Sequence, residues 1–197
     1  MTLQEFPVSD VREQVIRVDE SDGPIGPAGK IDVHLTGTLH RAFSVFLFDA
    51  SGRTLLQKRA DGKYHSGGLW TNSCCGHPRP GEPVGSAAER RVGEELRLDV
   101  SLKHAFCARY RAELDNGLIE NEFVHVFFGR CCDTPTPNAA EASAVSWSTL
   151  EELTCKISKQ PQHFSKWLIH YVITHGAEIR NHHWKLISQT SEPRRPA

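Results

Sequence analysis

The side chains that could do chemistry gather in two short stretches, TNSCCGHPRPGE at 71–82 and IENE at 119–122. In the first, two vicinal cysteines stand near a histidine. That pattern admits a zinc clamp, a reactive thiol beside a metal-binding imidazole, or small apolar packing that contains sulfur. Neither Cys74 with Cys75 nor Cys131 with Cys132 has C-x-x-C spacing, so a structural zinc site built from Cys74, Cys75 and Cys131 would be an unusual ligand pattern. In the second stretch, side chains two apart on a strand share a face, so Glu120 and Glu122 would project together and repel. Either they lie on a solvent-facing strand edge, or a divalent cation relieves the repulsion with His34, His40 and His77 as co-ligands. Imidazoles plus carboxylates suit Mn²⁺ or Zn²⁺, and Mg²⁺ where oxygen dominates. If residues 75–77 are extended, Cys75 shares a side with His77, and Cys74 points the other way into packing. A thiolate near cationic groups has a lowered pKa and carries protons, whereas a buried cysteine in apolar packing is inert.

A second set of residues suits an anion. Lys30, Arg59, Lys63 and Arg91 are scattered along the chain; they are either solvated surface or, if the fold converges them, a clamp for a diphosphate bridged by Mg²⁺. The net charge of −1 provides no global field for nucleic acid, so the expected partner is a small molecule. The opening MTLQEFPVSD has acids and no apolar run, and no stretch reaches the ~18 apolar residues of a membrane span. The expectation is a cytoplasmic protein with no membrane partner, a monomer or weak dimer, whose six cysteines are reduced.

These groups need elements to position them. With 197 residues, 39% apolar and 24% charged, the chain is expected to form one domain over 30–180. An extension, 1–29, would precede it and a tail, 181–197, would follow. SDGPIGPAG at 21–29 reads as a turn-rich connector. AFSVFLFD, ASGR and TLLQKR read as a hairpin, and HAFCARYRAEL, DNG and IENEFVHVFFGRC as a second. Apolar residues at 84, 87, 88, 92 and 96 predict a helix with Pro83 in its first turn. AVSW reads as a strand, and STLEEL as a helix opened by Ser148 with Glu151 three residues on. Apolar positions 164, 167, 168, 171 and 172 predict a final helix. Hairpins interleaved with helices make an α/β or α+β domain with a mixed sheet.

The first of these helices carries a pattern. Gly76, Glu82, Arg90, Glu94 and Glu95 satisfy G-x5-E-x7-R-x3-EE, which resembles the Nudix box, an element that holds Mg²⁺ on diphosphates. Arg91 and Arg97 stand where the box has Glu and Gly, and a cation in place of a metal-binding carboxylate argues against Nudix hydrolysis. On the helix itself, Arg90 with Glu94 and Arg91 with Glu95 are also plain i,i+4 pairs.

Taken with LHRAF, LLQKRA, GLWTNSCCGHP, RRVGEEL, RYRA, GLIENE and FSKW, the box resembles one Nudix-fold family, the type I isopentenyl diphosphate isomerases. The match covers about two thirds of the chain, Lys30 to Trp167. The resemblance implies a mixed β-sheet layered between helices, Cys75 as the catalytic thiol, and Glu122 as catalytic carboxylate and metal ligand. It implies a metal site completed by His34, His40, His77 and Glu120, and a second Mg²⁺ at Glu95 on the diphosphate. Lys30, Arg59, Lys63 and Arg91 would bind phosphate, and Tyr110 and Trp167 would be the active-site aromatics, Tyr110 hydrogen-bonding the carboxylate or thiol. Five residues, LTGTL, separate His34 from His40, one fewer than in the family, so either the loop is tighter or the metal has one imidazole less. The reaction implied is a 1,3 proton shift on a prenyl diphosphate. Its rivals are a diphosphate hydrolase, a protonation-initiated cyclase of a longer prenyl diphosphate, and a non-catalytic binding module.

Overall fold

The computed structural model describes residues 8–114 and 116–181. At its centre is β3 (His40–Phe48), in which every residue except Arg41 is buried. A strand covered on both faces needs a continuous apolar run rather than an alternating one, and HRAFSVFLF has it. β8 (Ile119–Arg130) lies parallel to β3 from His40↔Glu122 to Phe48↔Arg130. β7 (Leu102–Glu113) returns antiparallel along the far side of β8, joined to it by a turn in which Gly117 takes φ 76.

The other edge of β3 is shared. β4 (Thr54–Arg59) meets it only at Phe48↔Thr54, so the hairpin expected there exists at its closed end alone. Further along, β6 (Cys74–Gly76) takes the place beside β3 at Phe43, Ser44 and Val45. β4 turns instead to β5 (Trp70–Thr71) and β9 (Ala142–Ser148). β1 (Gln14–Val18), which follows α1 (Val8–Arg12), joins β3 at Arg17↔His40 and carries β2 (Pro24–Gly29) on its outer side. The stretch 21–29, expected as a connector, is therefore mostly an edge strand. Proline lacks the N–H that an inner strand must donate, but an edge tolerates Pro24 and Pro27. Only the tight turn before β2 is a connector, closed by Asp19 Oδ1, which accepts from the backbone N–H of Ser21 and Gly23 at 2.8 Å each.

Alternation then builds two cores. Ala42, Phe46 and Phe48 of β3, with Val124, Val126 and Phe128 of β8, pack on α4 (Leu150–Lys159) and α5 (Lys166–Thr174). Phe43, Val45 and Leu47 pack on the opposite side against Ala87, Ala88, Val92 and Leu96 of α3 (Val84–Leu96). This is the expected mixed sheet between helices. Helix ends differ from expectation by one residue. Pro83 is the N-cap of α3 rather than its first turn, and Thr149 with Glu152 forms the capping box of α4, because Ser148 is still paired to Thr54 in the sheet. The expected tail lies outside the described residues except for its first residue.

Candidate active site

Four elements bring imidazoles and carboxylates to one point. α2 (Lys30–Thr36) ends at Gly37, whose left-handed φ of 66 turns the chain within two residues into β3. A Cβ there would lie 3.0 Å from Ile119 Cγ2, so glycine is required on two counts. The tight LTGTL loop thereby sets the His34 ring 4.8 Å from that of His40. His34 Nδ1–H donates to the carbonyl of Lys30 at 2.6 Å, and His40 Nδ1–H to that of Thr38 at 2.8 Å. With both Nδ1 atoms engaged on carbonyls, both Nε2 atoms present lone pairs to the centre. His77, beyond β6, places its Nε2 3.2 Å from His40 Nε2 and 3.0 Å from Glu122 Oε1. Ligand atoms of His34, His40, His77 and Glu122 all fall within 4.8 Å of one another, and so do those of His34, His65 and Glu120.

This donor set fits a divalent cation. His34 Nε2 and Glu120 Oε2 are buried without a hydrogen-bond partner among the described residues, 3.5 Å apart, a costly arrangement unless a cation lies between such groups. Burial favours the neutral form a metal needs at three of the rings: it pulls His40 down to about 4 and takes His65 and His77 well below the usual value. Burial opposes ionisation of both carboxylates, yet the closeness of the His34 imidazole holds Glu120 well below the usual range. Burial and the charge of Glu120 leave Glu122 well above it. The pair is not a solvent-facing edge, since β8 is flanked on both sides and Glu120 is 4% exposed.

Across the strand lies the thiol. β6 pairs with β3 at Ser44↔Cys75, so Cys75 faces the pocket while Cys74 packs against α3, as the alternation demands. A Cβ at Gly76 would meet the Phe43 ring at 3.0 Å, which is why the box glycine can sit so close to β3. The environment of Cys75 corrects the expected lowered pKa. Burial pushes the thiol up to about 12, against hydrogen bonds with Ser44 and Asn72 that pull it down. Asn72 spends its amide hydrogens on the carbonyls of Val45 (2.9 Å) and Cys74 (3.2 Å), so its Oδ1 accepts the Cys75 S–H at 3.1 Å. Thr71 Oγ1 also donates to Asn72 Oδ1, at 3.1 Å, and itself accepts from Trp167 Nε1 at 2.6 Å. The indole of Trp167 is thus locked by the same network that holds the thiol. Tyr110 pairs with Glu122 across β7 and β8, but its buried hydroxyl has no hydrogen-bond partner among the described residues, which corrects the expected bond to the carboxylate or thiol. The thiol is met instead by Ser44 Oγ at 3.3 Å, which donates to Tyr171 at 3.0 Å.

Cys75, His77, Glu120, Glu122 and Trp167 line one cavity of about 410 Å³, and Lys30, Arg59, Lys63 and Arg91 line it too. The scattered basics have converged. Most are held by acids: Lys30 by Asp10 and Glu13 at 2.8 Å each, Lys63 by Glu141, and Arg91 by Glu95 and Glu141. Burial works against the Arg91 charge, but Glu95 and Glu141 outweigh it and raise its pKa. Arg59 differs. Its Nη2 reaches the carbonyl of His65 at 3.3 Å, its Nε has no hydrogen-bond partner among the described residues, and its guanidinium lies 5.4 Å from the Trp167 ring centre. Glu95 is set apart from the imidazoles, accepting from Gln57 Nε2 at 2.9 Å at the edge of the same cavity. Within the box, Glu82 receives a two-pronged bond from Arg90, at 2.7 and 2.9 Å, and binds the Arg79 N–H, tying the loop after β6 to α3.

Sequence reasoning missed His65, Ser44, Thr71, Asn72 and Tyr171. A hydroxyl alone in the apolar run AFSVFLF is the signal that could have found Ser44. His65, in a Gly-rich loop with no regular spacing to the other histidines, offers none.

Residues 38–169 match the NUDIX domain. A solved protein of Deinococcus radiodurans has the same fold, with a TM-score of 0.62 and 22% identity over 75% of this chain and 90% of that one. The molecule is thus a Nudix-fold protein whose helix-bound carboxylates are supplemented by a cluster of imidazoles and a thiol. Isopentenyl-diphosphate Delta-isomerase 2 of Aromatoleum aromaticum is 51% identical over 158 residues, 80% of this chain and 84% of the relative. Isopentenyl-diphosphate Delta-isomerase of Burkholderia multivorans is 45% identical over 174 residues, 88% and 98% of the two chains. The chain belongs to the isopentenyl-diphosphate Delta-isomerase family.

Proposed function

We propose that this protein interconverts isopentenyl and dimethylallyl diphosphate by a 1,3 proton shift. The observation that carries the reading is the placement of Cys75 and Glu122. They stand on strands at either side of β3, in register with Ser44 and His40, which alternation puts on one face of β3, and both line one cavity. A five-carbon chain between them meets a proton-bearing group on each side. One group forms a C–H bond at the terminal alkene carbon, leaving a tertiary carbocation; the other removes a proton from the carbon nearer the diphosphate, and the double bond moves. One proton enters and one leaves, with no net redox change, and in the reverse direction the two groups exchange roles.

An alkene is a very weak base, so water must be kept out while the cation exists. The Trp167 ring, fixed through Thr71, offers a π face worth ~2 kcal/mol or more to a desolvated cation. Tyr110, buried beside Glu122, closes the site against water. Arg59, with Lys30, Lys63 and Arg91, holds the diphosphate. When bound, Mn²⁺, Mg²⁺ or Zn²⁺ at His34, His40, His77, Glu120 and Glu122 would supply charge that fixes and polarises the Glu122 carboxyl, and Mg²⁺ near Glu95 would neutralise diphosphate oxygens.

All these groups come from one chain, so a monomer or weak dimer suffices. The six free cysteines accord with a reducing, cytoplasmic setting, and no helix among the described residues is long and apolar enough to cross a membrane. The test is product analysis after incubation with Mg²⁺ and Mn²⁺ on isopentenyl diphosphate, a longer prenyl diphosphate and a nucleoside diphosphate in parallel. Dimethylallyl diphosphate from the first alone is the expected result. Phosphate release, or a cyclised product from the second, overturns it.

A further inference from the structure

On the opposite face of the β7–β8 hairpin, away from the catalytic cavity, is a second convergence of ligand atoms. Alternation along β8 directs Glu120 and Glu122 to one side and His125 to the other. His125 is paired in register with Cys107, and a β-bulge between His104 and Phe106 brings His104 onto the same face. Cys107 Sγ lies 3.5 Å from His104 Nε2 and 3.6 Å from His125 Nδ1, and the three ligand atoms all fall within 4.8 Å of one another. In a tetrahedral zinc site with Zn–S near 2.3 Å and Zn–N near 2.05 Å, the sulfur and nitrogen corners are about 3.6 Å apart. The two S···N distances already have that spacing.

One ligand is also oriented from behind. His125 Nε2–H donates to Asp22 Oδ2 at 2.9 Å, which leaves the Nδ1 lone pair directed at the thiol. A carboxylate behind a ligating imidazole fixes its tautomer and raises its basicity. Asp22 is held in turn by Arg41, whose Nε donates to Oδ1 at 2.7 Å and whose Nη2 donates to the Asp22 carbonyl at 2.5 Å. Cys107 and His104 are exposed and His125 is partly so, which leaves access from solvent and a fourth position open to water.

We infer that His104, Cys107 and His125, oriented by Asp22, form a second metal site for a thiophilic divalent cation of the zinc class. It is separate from the catalytic centre and goes beyond the proposed isomerase reaction. Binding displaces the Cys107 thiol proton to solvent and leaves an N,N,S set with one open corner. A hard cation such as Mg²⁺ is excluded by the sulfur and imidazole donors.

The test is titration of the tag-free full chain with Co²⁺, kept reduced by a phosphine. The near-ultraviolet thiolate-to-cobalt charge-transfer band is the readout, and Zn²⁺ serves as competitor. The expected band saturates at one equivalent of thiolate-bound cobalt, is unchanged in Cys75→Ser, is absent in Cys107→Ser and is abolished by Zn²⁺. Asp22→Asn keeps the left-handed turn, φ 67, that Asn tolerates, and should require about ten- to a hundredfold more cobalt. Circular dichroism of the variants confirms that each remains folded. No band at saturating cobalt overturns the assignment, and so does a band that survives in Cys107→Ser or is lost in Cys75→Ser.

Discussion

At the scale of single residues, the proposed reaction divides the site between groups that would carry protons and groups that hold them in place. Asn72 holds the thiol, because its amide is committed to two backbone carbonyls and only its oxygen is left for Cys75. Removing it leaves the thiol present but unaimed. Asn72→Ala should therefore lower kcat by about tenfold, the worth of one buried hydrogen bond, with little change in KM. Arg59→Gln should do the reverse, raising KM by about tenfold or more through a lost charge-assisted bond to the diphosphate, with kcat nearly kept. Steady-state kinetics of the two variants side by side checks the contrast; equal effects on both parameters would contradict the division. Cys75, His77 and the Glu120/Glu122 pair were legible in the sequence because their types are chemically unusual and their spacing is local. Asn72 and Thr71 were not, although they stand in the same stretch, because a hydrogen bond is decided by which way an amide faces and no spacing rule encodes that.

At the scale of elements, α3 shows what the box residues do in this chain. Glu82 and Arg90 serve as a clasp between loop and helix, and only Glu95 of the acidic pair turns inward, 5% exposed. The bond from Arg90 holds the Glu82 carboxyl below its usual 4.5. A carboxylate with a depressed folded pKa contributes stability above the unfolded value and loses it as pH falls through the folded one. Glu82→Gln should thus flatten the acid limb of a stability-against-pH curve below about pH 5, by about 1 kcal/mol or less, as read by denaturant unfolding. Arg97, at the end of α3, takes φ 55, a conformation disfavoured by its Cβ and open to the glycine of the box. Arg97→Gly should stabilise the fold by about 0.5–1 kcal/mol after the added freedom of the unfolded chain is counted, visible as a higher Tm. The period of α3 and the turn residues of β7–β8 made those elements readable. β2 was not, since its Pro and Gly residues carry turn signals and its extended form depends on pairing with β1.

At the scale of the whole molecule, the imidazole cluster joins α2, β3, the loop after β6 and β8, and the unsatisfied atoms at its centre weaken all four when no cation is present. A cation bound at about a hundred times its dissociation constant adds about 2.7 kcal/mol. Calorimetry should accordingly show Tm falling by about 5–10 °C on chelation and recovering with Mn²⁺, and His34→Ala should lose most of that response. The parallel pairing of β3 with β8 creates the cluster by placing His40 beside Glu122. Nothing local in the sequence specifies it, because a parallel pair is set by the connections and packing between distant segments. The resemblance to known isomerases provided what the residues alone could not: that the distant motifs meet.

The central claim is that two proton-carrying groups flank one five-carbon chain. It is tested most directly by proton NMR of isopentenyl diphosphate with the protein and divalent cation in D₂O. The expected spectrum shows dimethylallyl diphosphate growing in with deuterium in a methyl group, for the native chain and for neither Cys75→Ala nor Glu122→Gln. Allylic product formed without deuterium, or formed at the native rate by Cys75→Ala, would contradict it.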